Sequence, residues 1–261
     1  MTARRRGPLT AVDDDTPFRL HQQLMQQLLQ DIASGRYPAD ERLPAETELA
    51  RQLGVSRGVI RELLRSLEDR GVLSIRHGRG AWVRPTADWN VLDAEVLAAL
   101  MPTPASVSVL THYLECRRIL ETEAAALAAH RASSKDLSNM ADALADMTAL
   151  ALTSQTDPEA NERFHAADIA FHGAIFRASG NQVLPRVVEP IQRAMATLRP
   201  HLALHPEHRL RKTLPEHKAI LAAIADHDAD RAREAMSAHL ATVADYLREY
   251  RIQRSATTET A

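Results

Sequence analysis

A mainly all-α chain carrying one short β-hairpin is the fold this sequence predicts, and three observations predict it. Aromatic residues make up only 4% of the 261 residues while alanine and leucine abound, which favours helices over sheets. Apolar residues recur at i, i+3, i+4 and i+7 through most of the chain. Only one pair of segments, VLSIR and GAWVR around the turn HGRG, has the character of strands.

The elements follow in order. Residues 1–16 are polar and charged and are expected to be a disordered tail. Leu20, Leu24, Leu28 and Ile32 form the stripe of a helix from about Phe18 to Ser34, with Gly35 as its stop. RYPADERLP is a turn-rich link. Short helices are expected over 46–53 and 57–70, separated by Gly54 and ended by Gly71, and the two strands come next. Helix, helix, turn, helix, hairpin is the order of a winged helix–turn–helix, expected over 17–85. Residues 86–104 read as a linker and connecting helix, the latter over about 91–100.

An antiparallel helical bundle is expected over 105–250. Its helices fall at about 105–130, 134–152, 159–179, 182–198, 213–227 and 229–250, followed by a loose tail over 251–261. Ser133 and Asp136 have the spacing of a capping box, and Gly180 with Asn181 can close one helix and open the next.

The net charge of −2 hides an asymmetry. Residues 1–85 carry 14 arginines and no lysine against 11 carboxylates, a net +3, and the remainder is net −5. A basic front suits a polyanionic partner. The single cysteine, Cys116, excludes a disulfide within the chain and fits a reducing cytoplasm; with no triad-like surroundings it reads as a small buried apolar residue. No apolar run approaches the roughly 20 residues that span a bilayer. MTARRRG is followed by acidic residues rather than the apolar core of a signal sequence.

Two constellations carry chemistry. In the helix 57–70, Val59, Ile60, Leu63, Leu64 and Leu67 form an apolar face, and Arg57, Arg61 and Arg65 recur on another. Guanidinium forks suit guanine edges and phosphates. Ser56 and the first amides of this helix could hold a phosphate, and the tip Arg76-His77-Gly78-Arg79-Gly80 could enter a minor groove. In the bundle, Asp168 and His172 stand one turn apart on a stripe with Phe164, Phe171 and Ile175. His217 shares a stripe with Ile220, Leu221 and Ile224, and His239 shares one with Met236, Leu240 and Val243. Burying four such groups without partners costs several kcal/mol. A cation would satisfy them: three imidazoles and a carboxylate suit Zn²⁺ first, with Ni²⁺ or Mn²⁺ as alternatives.

Arg117 falls on the apolar stripe of Leu110, Tyr113, Leu114 and Leu120, and beside a metal it would receive an organic acid; it also stands one turn from Glu121, with which it could pair. If it serves the ligand alone, Arg117→Ala leaves folding nearly intact.

The stretch DIASGRYPADERLPAETELARQLGVSRGVIRELLRSLEDRGVLSIRHGRGAWV resembles the winged-helix domain of GntR-type transcription regulators. The resemblance implies operator contacts from Ser56, Arg57, Gly58, Arg61, His77 and Gly78. The chain departs from the family pattern at Thr47 (often Arg), Ala45 (often Ser, an N-cap) and Gly58 (often Thr). YLECRRILETEAAALAA, DIAFHGAIFRASGN and EHKAILAAIADHDADRAREAMSAHL resemble the helical ligand domain of the FadR-like subgroup, the FCD domain. That resemblance implies Asp168, His172, His217 and His239 as metal ligands and Arg117 as an effector contact. WNVLDAEVLAAL is similar to repressors of sugar-acid catabolism.

The expected function is therefore ligand-controlled transcription, usually repression. The expected partners are double-stranded operator DNA and a small carboxylate, with a homodimer matching a two-fold operator and no membrane. The competing class is a metal-dependent hydrolase, for which no general base stands out beside the four ligands. His201, His205 and His208 read as a solvated connector. His227-Asp228 falls at a helix–helix turn without the partners a phosphohydrolase needs.

Overall fold

The computed structural model describes residues 15–152, 157–198 and 208–258. Most of the expected tail over 1–16 lies outside them, as do His201 and His205. Two compact units divide the chain, 1–105 and 106–261.

In the first unit, α1 (Asp15–Ala33) buries Leu24, Met25, Leu28, Leu29 and Ile32. The short α2 (Glu46–Leu53) ends on Gly54 in the left-handed conformation, and α3 (Arg57–Asp69) follows two residues later. Ser56 caps α3 by accepting from the Val59 amide at 3.3 Å. Ala45 gives α2 no side-chain cap, as its methyl group dictates. Ile60, Leu63, Leu64 and Leu67 are buried, each contributing about 1.5–3 kcal/mol, while the arginines of α3 stay outside.

Gly71 turns the chain with φ +72°; a Cβ there would sit 2.5 Å from the Asp88 carbonyl oxygen, so no other residue fits. Strands β1 (Leu73–Arg76) and β2 (Gly80–Val83) pair antiparallel, from Leu73 opposite Val83 to Arg76 opposite Gly80. Arg42 bridges to Trp82 on the free edge of β2. The order is that of a winged helix–turn–helix. Residues 86–104 are more ordered than a linker: a 3-10 turn spans Thr86–Asp88, Trp89 is buried, and α4 (Ala94–Leu100) packs on α1. The apolar faces of Trp89, Val96, Leu97 and Leu100 drive that packing. Arg70 ties α3 to this segment through Asp93 and Glu95.

The second unit is helical throughout its described residues. It comprises α5 (Ser106–Arg131), α6 (Ser134–Leu150), α7 (Pro158–Ala178), α8 (Leu184–Leu198), α9 (Leu214–Ala225) and α10 (Ala229–Thr258). The expected capping box at Ser133 and Asp136 opens α6. A core of alanines, Phe164, Phe171, Phe176, Met140, Met147 and Met236 lies where α5, α6, α7, α9 and α10 meet.

Three features differ from expectation. The last helix continues to Thr258, beyond the end expected at 250. A π-helical turn, Arg209–Thr213, runs directly into α9, and its Arg209 is only 2% exposed, lying 4.3 Å over the Phe164 ring and donating to Asn161. Cys116 is exposed rather than buried, because α5 turns its Glu115–Cys116 edge away from the alanine-rich face that packs.

Candidate functional site

In the first unit, a groove of about 620 Å³ opens between α3 and the hairpin, and Arg57, Arg61, Arg65, Arg76, His77 and Gly78 help line it. Arg42 lines it too, stacked over Trp82, whose ring Arg76 also covers at 4.7 Å. Four of the six expected contact residues are thus brought together. Ser56 and Gly58 stand at the start of α3 instead, where the Ser56 hydroxyl is occupied by the cap. Gly78 holds φ +69° at the hairpin tip, leaving a slim, basic tip. Sequence reasoning missed Glu46: its carboxylate accepts from Arg61 Nε at 2.8 Å and lies 3.8 Å from Arg57 Nη2. The acidic first turn of α2 was the available signal.

In the second unit, His172 on α7, His217 on α9 and His239 on α10 each offer a ring nitrogen, all within 4.8 Å of one another. Asp168 Oδ1 lies 3.2 Å from His217 Nε2 and 3.9 Å from His172 Nε2. All three rings are buried. Partners behind two of the rings select a tautomer, because an acceptor at Nδ1 keeps the proton there. The Thr213 carbonyl faces His217 Nδ1 at 2.7 Å, and Glu216 Oε2 faces His239 Nδ1 at 3.0 Å. Glu121 Oε2 faces His172 Nδ1 at 2.7 Å; the contact is short but bent rather than in line.

With the proton on Nδ1, the Nε2 atoms of His217 and His239 carry lone pairs. The Nε2 atoms of His172 and His217 are buried without a hydrogen-bond partner, and His217 Nε2 faces a carboxylate oxygen at 3.2 Å. An imidazole lone pair facing a carboxylate oxygen is repelled by it unless a proton or a metal cation lies between the two. The donor set, with its carboxylate and carbonyl supports, fits a divalent transition metal.

Arg117 donates to Glu121 through Nε at 2.6 Å and Nη2 at 3.3 Å, so the pairing that the sequence left open is made. Glu121, 2% exposed, joins Arg117 to His172. Burial pushes its carboxyl up, but the Arg117 guanidinium and His172 outweigh burial and hold it well below the usual carboxylate range. Burial likewise opposes the Arg117 charge, and Glu121 more than restores it. Glu216 is lowered despite burial by its bonds from His239 and Thr242. Burial, aided by His217, drives His239 down to about 4 against the pull of Glu216, so the ring is neutral at pH 7.

These shifts predict acid sensitivity. Between pH 6.5 and about 4 the unfolded chain protonates His239 while the folded chain does not, so stability falls as pH falls through that window, by on the order of 3 kcal/mol. Below 4.5 the lowered Glu121 and Glu216 extend the loss in the same direction. Urea unfolding of metal-free protein should show a lower midpoint at pH 5 than at pH 7.5; equal midpoints would contradict a buried neutral His239.

His227 does not join this cluster; it accepts φ +58° at the α9–α10 turn and faces the Ala129 carbonyl at 2.8 Å, a tie to α5. Among the described residues, His172, His217 and His239 form the one metal-type grouping.

Family comparisons agree with both halves. Residues 20–83 match the family described as bacterial regulatory proteins, gntR family, and residues 112–242 match the FCD domain. The chain belongs to the GntR family. The galactonate operon transcriptional repressor of Escherichia coli K12 is 32% identical to this GntR-family chain, over 84% of this chain and 92% of that protein. The HTH-type transcriptional regulator LutR of Bacillus subtilis is 30% identical, over 84% and 97%. The solved structure of Lar, which controls the Listeria monocytogenes agr system, shares the fold at TM-score 0.60 and 22% identity, covering 88% of this chain and 97% of that one. The protein is a DNA-binding transcription regulator and not an enzyme, so the hydrolase reading is set aside. No helix among the described residues is long and apolar enough to cross a membrane.

Proposed function

We propose that this regulator is a cytoplasmic, homodimeric repressor whose hold on its operator is released by a small organic acid, a sugar acid being the first candidate. The sensing centre is a divalent transition metal, Zn²⁺ first and Ni²⁺ or Mn²⁺ next, on Asp168, His172, His217 and His239. The observation that carries this reading is the meeting of three buried imidazoles, one ring nitrogen of each within 4.8 Å of the others, with the unpartnered Nε2 atoms of His217 and His172 at 3.2 and 3.9 Å from Asp168 Oδ1.

A bound ion would supply open coordination positions for a carboxylate ligand. The chain's own residues do the rest. Glu121, Thr213 and Glu216 orient the imidazoles, and Arg117 offers a guanidinium to the acid group. The four ligands come from α7, α9 and α10, so a ligand that repositions them bears on the packing of three helices at once. A tenfold loss of operator affinity needs about 1.4 kcal/mol of coupling between the two sites. The galactonate operon repressor is a relative, which makes hexonates the first acids to try.

On the DNA side, Ser56, Arg57, Gly58, Arg61, His77 and Gly78 make the operator contacts, with Arg57 and Arg61 reading bases and the hairpin tip in the adjoining minor groove. A gel shift on the DNA upstream of the regulator's own gene, with and without galactonate and other hexonates, tests the whole reading. Binding that every hexonate and short-chain hydroxy acid leaves untouched argues against it. Arg57→Ala should weaken operator binding by about 1–3 kcal/mol and relax selectivity at one base pair; unchanged affinity would remove Arg57 from the contact set.

A further inference from the structure

We propose that Glu46 sets the sequence selectivity of the reading helix by fixing the guanidinium of Arg61, as a positioning residue that need not touch DNA itself. The inference rests on the reading that Arg61 contacts a base.

Glu46 is the first residue of α2, and Arg61 stands at the second turn of α3. Glu46 Oε2 accepts from Arg61 Nε at 2.8 Å, and the same oxygen lies 3.8 Å from Arg57 Nη2. One carboxylate thus serves both arginines assigned to base reading. The bond to Arg61 uses Nε and not the two Nη groups. Either outer edge of a guanidinium can meet guanine O6 and N7, and a partner on Nε commits the side chain to presenting its Nη pair. The long arginine side chain is otherwise free in several rotamers, and holding one of them removes an entropy cost from each correct contact.

Stability does not explain the pair. The side chains are 58% and 35% exposed, and such pairs contribute about 1 kcal/mol or less. Glu46 also lies in the first turn of a helix that lacks a side-chain cap, where a negative charge contributes a similarly small amount. Against these gains stands a liability: a carboxylate in a groove lined by arginines repels every phosphate that approaches. It weakens binding to all DNA alike, and selectivity is what offsets that loss.

The full-length protein, as wild type, Glu46→Gln, Arg61→Ala and the double variant, should be taken through in vitro selection from randomised duplexes. Affinity for the wild-type selected duplex and for a scrambled one is then measured. Glu46→Gln should tighten scrambled binding by about two- to fivefold, since a charge leaves the groove. It should lower the selected-to-scrambled ratio by about tenfold, at the base pair that Arg61→Ala also relaxes. In the Arg61→Ala background it should not lower the ratio further. Equal tightening on both duplexes would make Glu46 a bulk charge only and overturn the inference, as would a lower melting temperature with selectivity intact. A ratio loss that persists without Arg61 also overturns it. Should Arg61→Ala leave the selected sequence unchanged, the base-reading assignment falls and takes this inference with it, whereas an effect of Arg61→Ala without one of Glu46→Gln refutes the inference alone.

Discussion

Replacing His217 by alanine is expected to lower affinity for Zn²⁺ by more than about 100-fold, since loss of a supporting partner alone lowers it 10- to 100-fold. His217 is fully buried, its Nδ1 is held by Thr213, and its Nε2 stands nearest Asp168. Among the described residues, only His172 and His239 join it in a metal-type grouping. At a free metal concentration about 1,000 times the wild-type dissociation constant, the bound ion adds about 4 kcal/mol of stability. A 100-fold weaker site keeps about 1.4 kcal/mol of that. The readout is the increment in melting temperature that Zn²⁺ brings, measured for each protein against its own metal-free form. This removes the separate effect of losing a packed ring. An increment equal in wild type and His217→Ala would show that the ion binds elsewhere or not at all.

Glu121→Ala should destabilise the metal-free protein by about 3–5 kcal/mol, the range for removing one partner of a buried ion pair. Glu121 is 2% exposed; both its oxygens accept from Arg117, and Oε2 also lies 2.7 Å from His172 Nδ1. Without it, a buried guanidinium loses its counter-charge and a buried imidazole loses its acceptor. Chemical denaturation at pH 7.5 measures the loss. The double replacement Arg117→Met with Glu121→Leu should be much milder, because no charge is left stranded. Equal losses in the two variants would mean that the pair is not what makes the site sensitive. The same geometry changes the expectation for Arg117→Ala: it strands the Glu121 carboxylate, so it should unsettle folding as well as effector response. Arg117→Lys keeps a positive charge opposite Glu121 while removing the planar fork, and is the cleaner probe of ligand recognition.

The parts of this molecule set by local pattern were readable in the sequence. Asp168 and His172 share a helical stripe because four residues make one turn, and His217 and His239 stood out as polar groups on apolar stripes. Ser133 and Asp136 announced a capping box by spacing alone. What could not be read depends on contacts between distant segments. Glu121 reaches His172 from 51 positions away, and Glu216 reaches His239 from a different helix. No spacing rule connects them, yet they decide which ring nitrogen faces inward. Glu46 and Arg61 sit on separate helices for the same reason. Cys116 is exposed, because a cysteine's usual burial says nothing about which edge of a long helix meets the core. The π-helical turn at Arg209–Thr213 has no composition signal of its own.

Whether an ion binds among Asp168, His172, His217 and His239 decides the account of sensing. Chelator-stripped protein dialysed to equilibrium in turn against Zn²⁺, Ni²⁺ and Mn²⁺, then measured by elemental analysis, should hold one ion per chain with at least one of the three, and none with any of them after His217→Ala and Asp168→Ala together. Metal at background level in the wild type for all three ions would contradict the account.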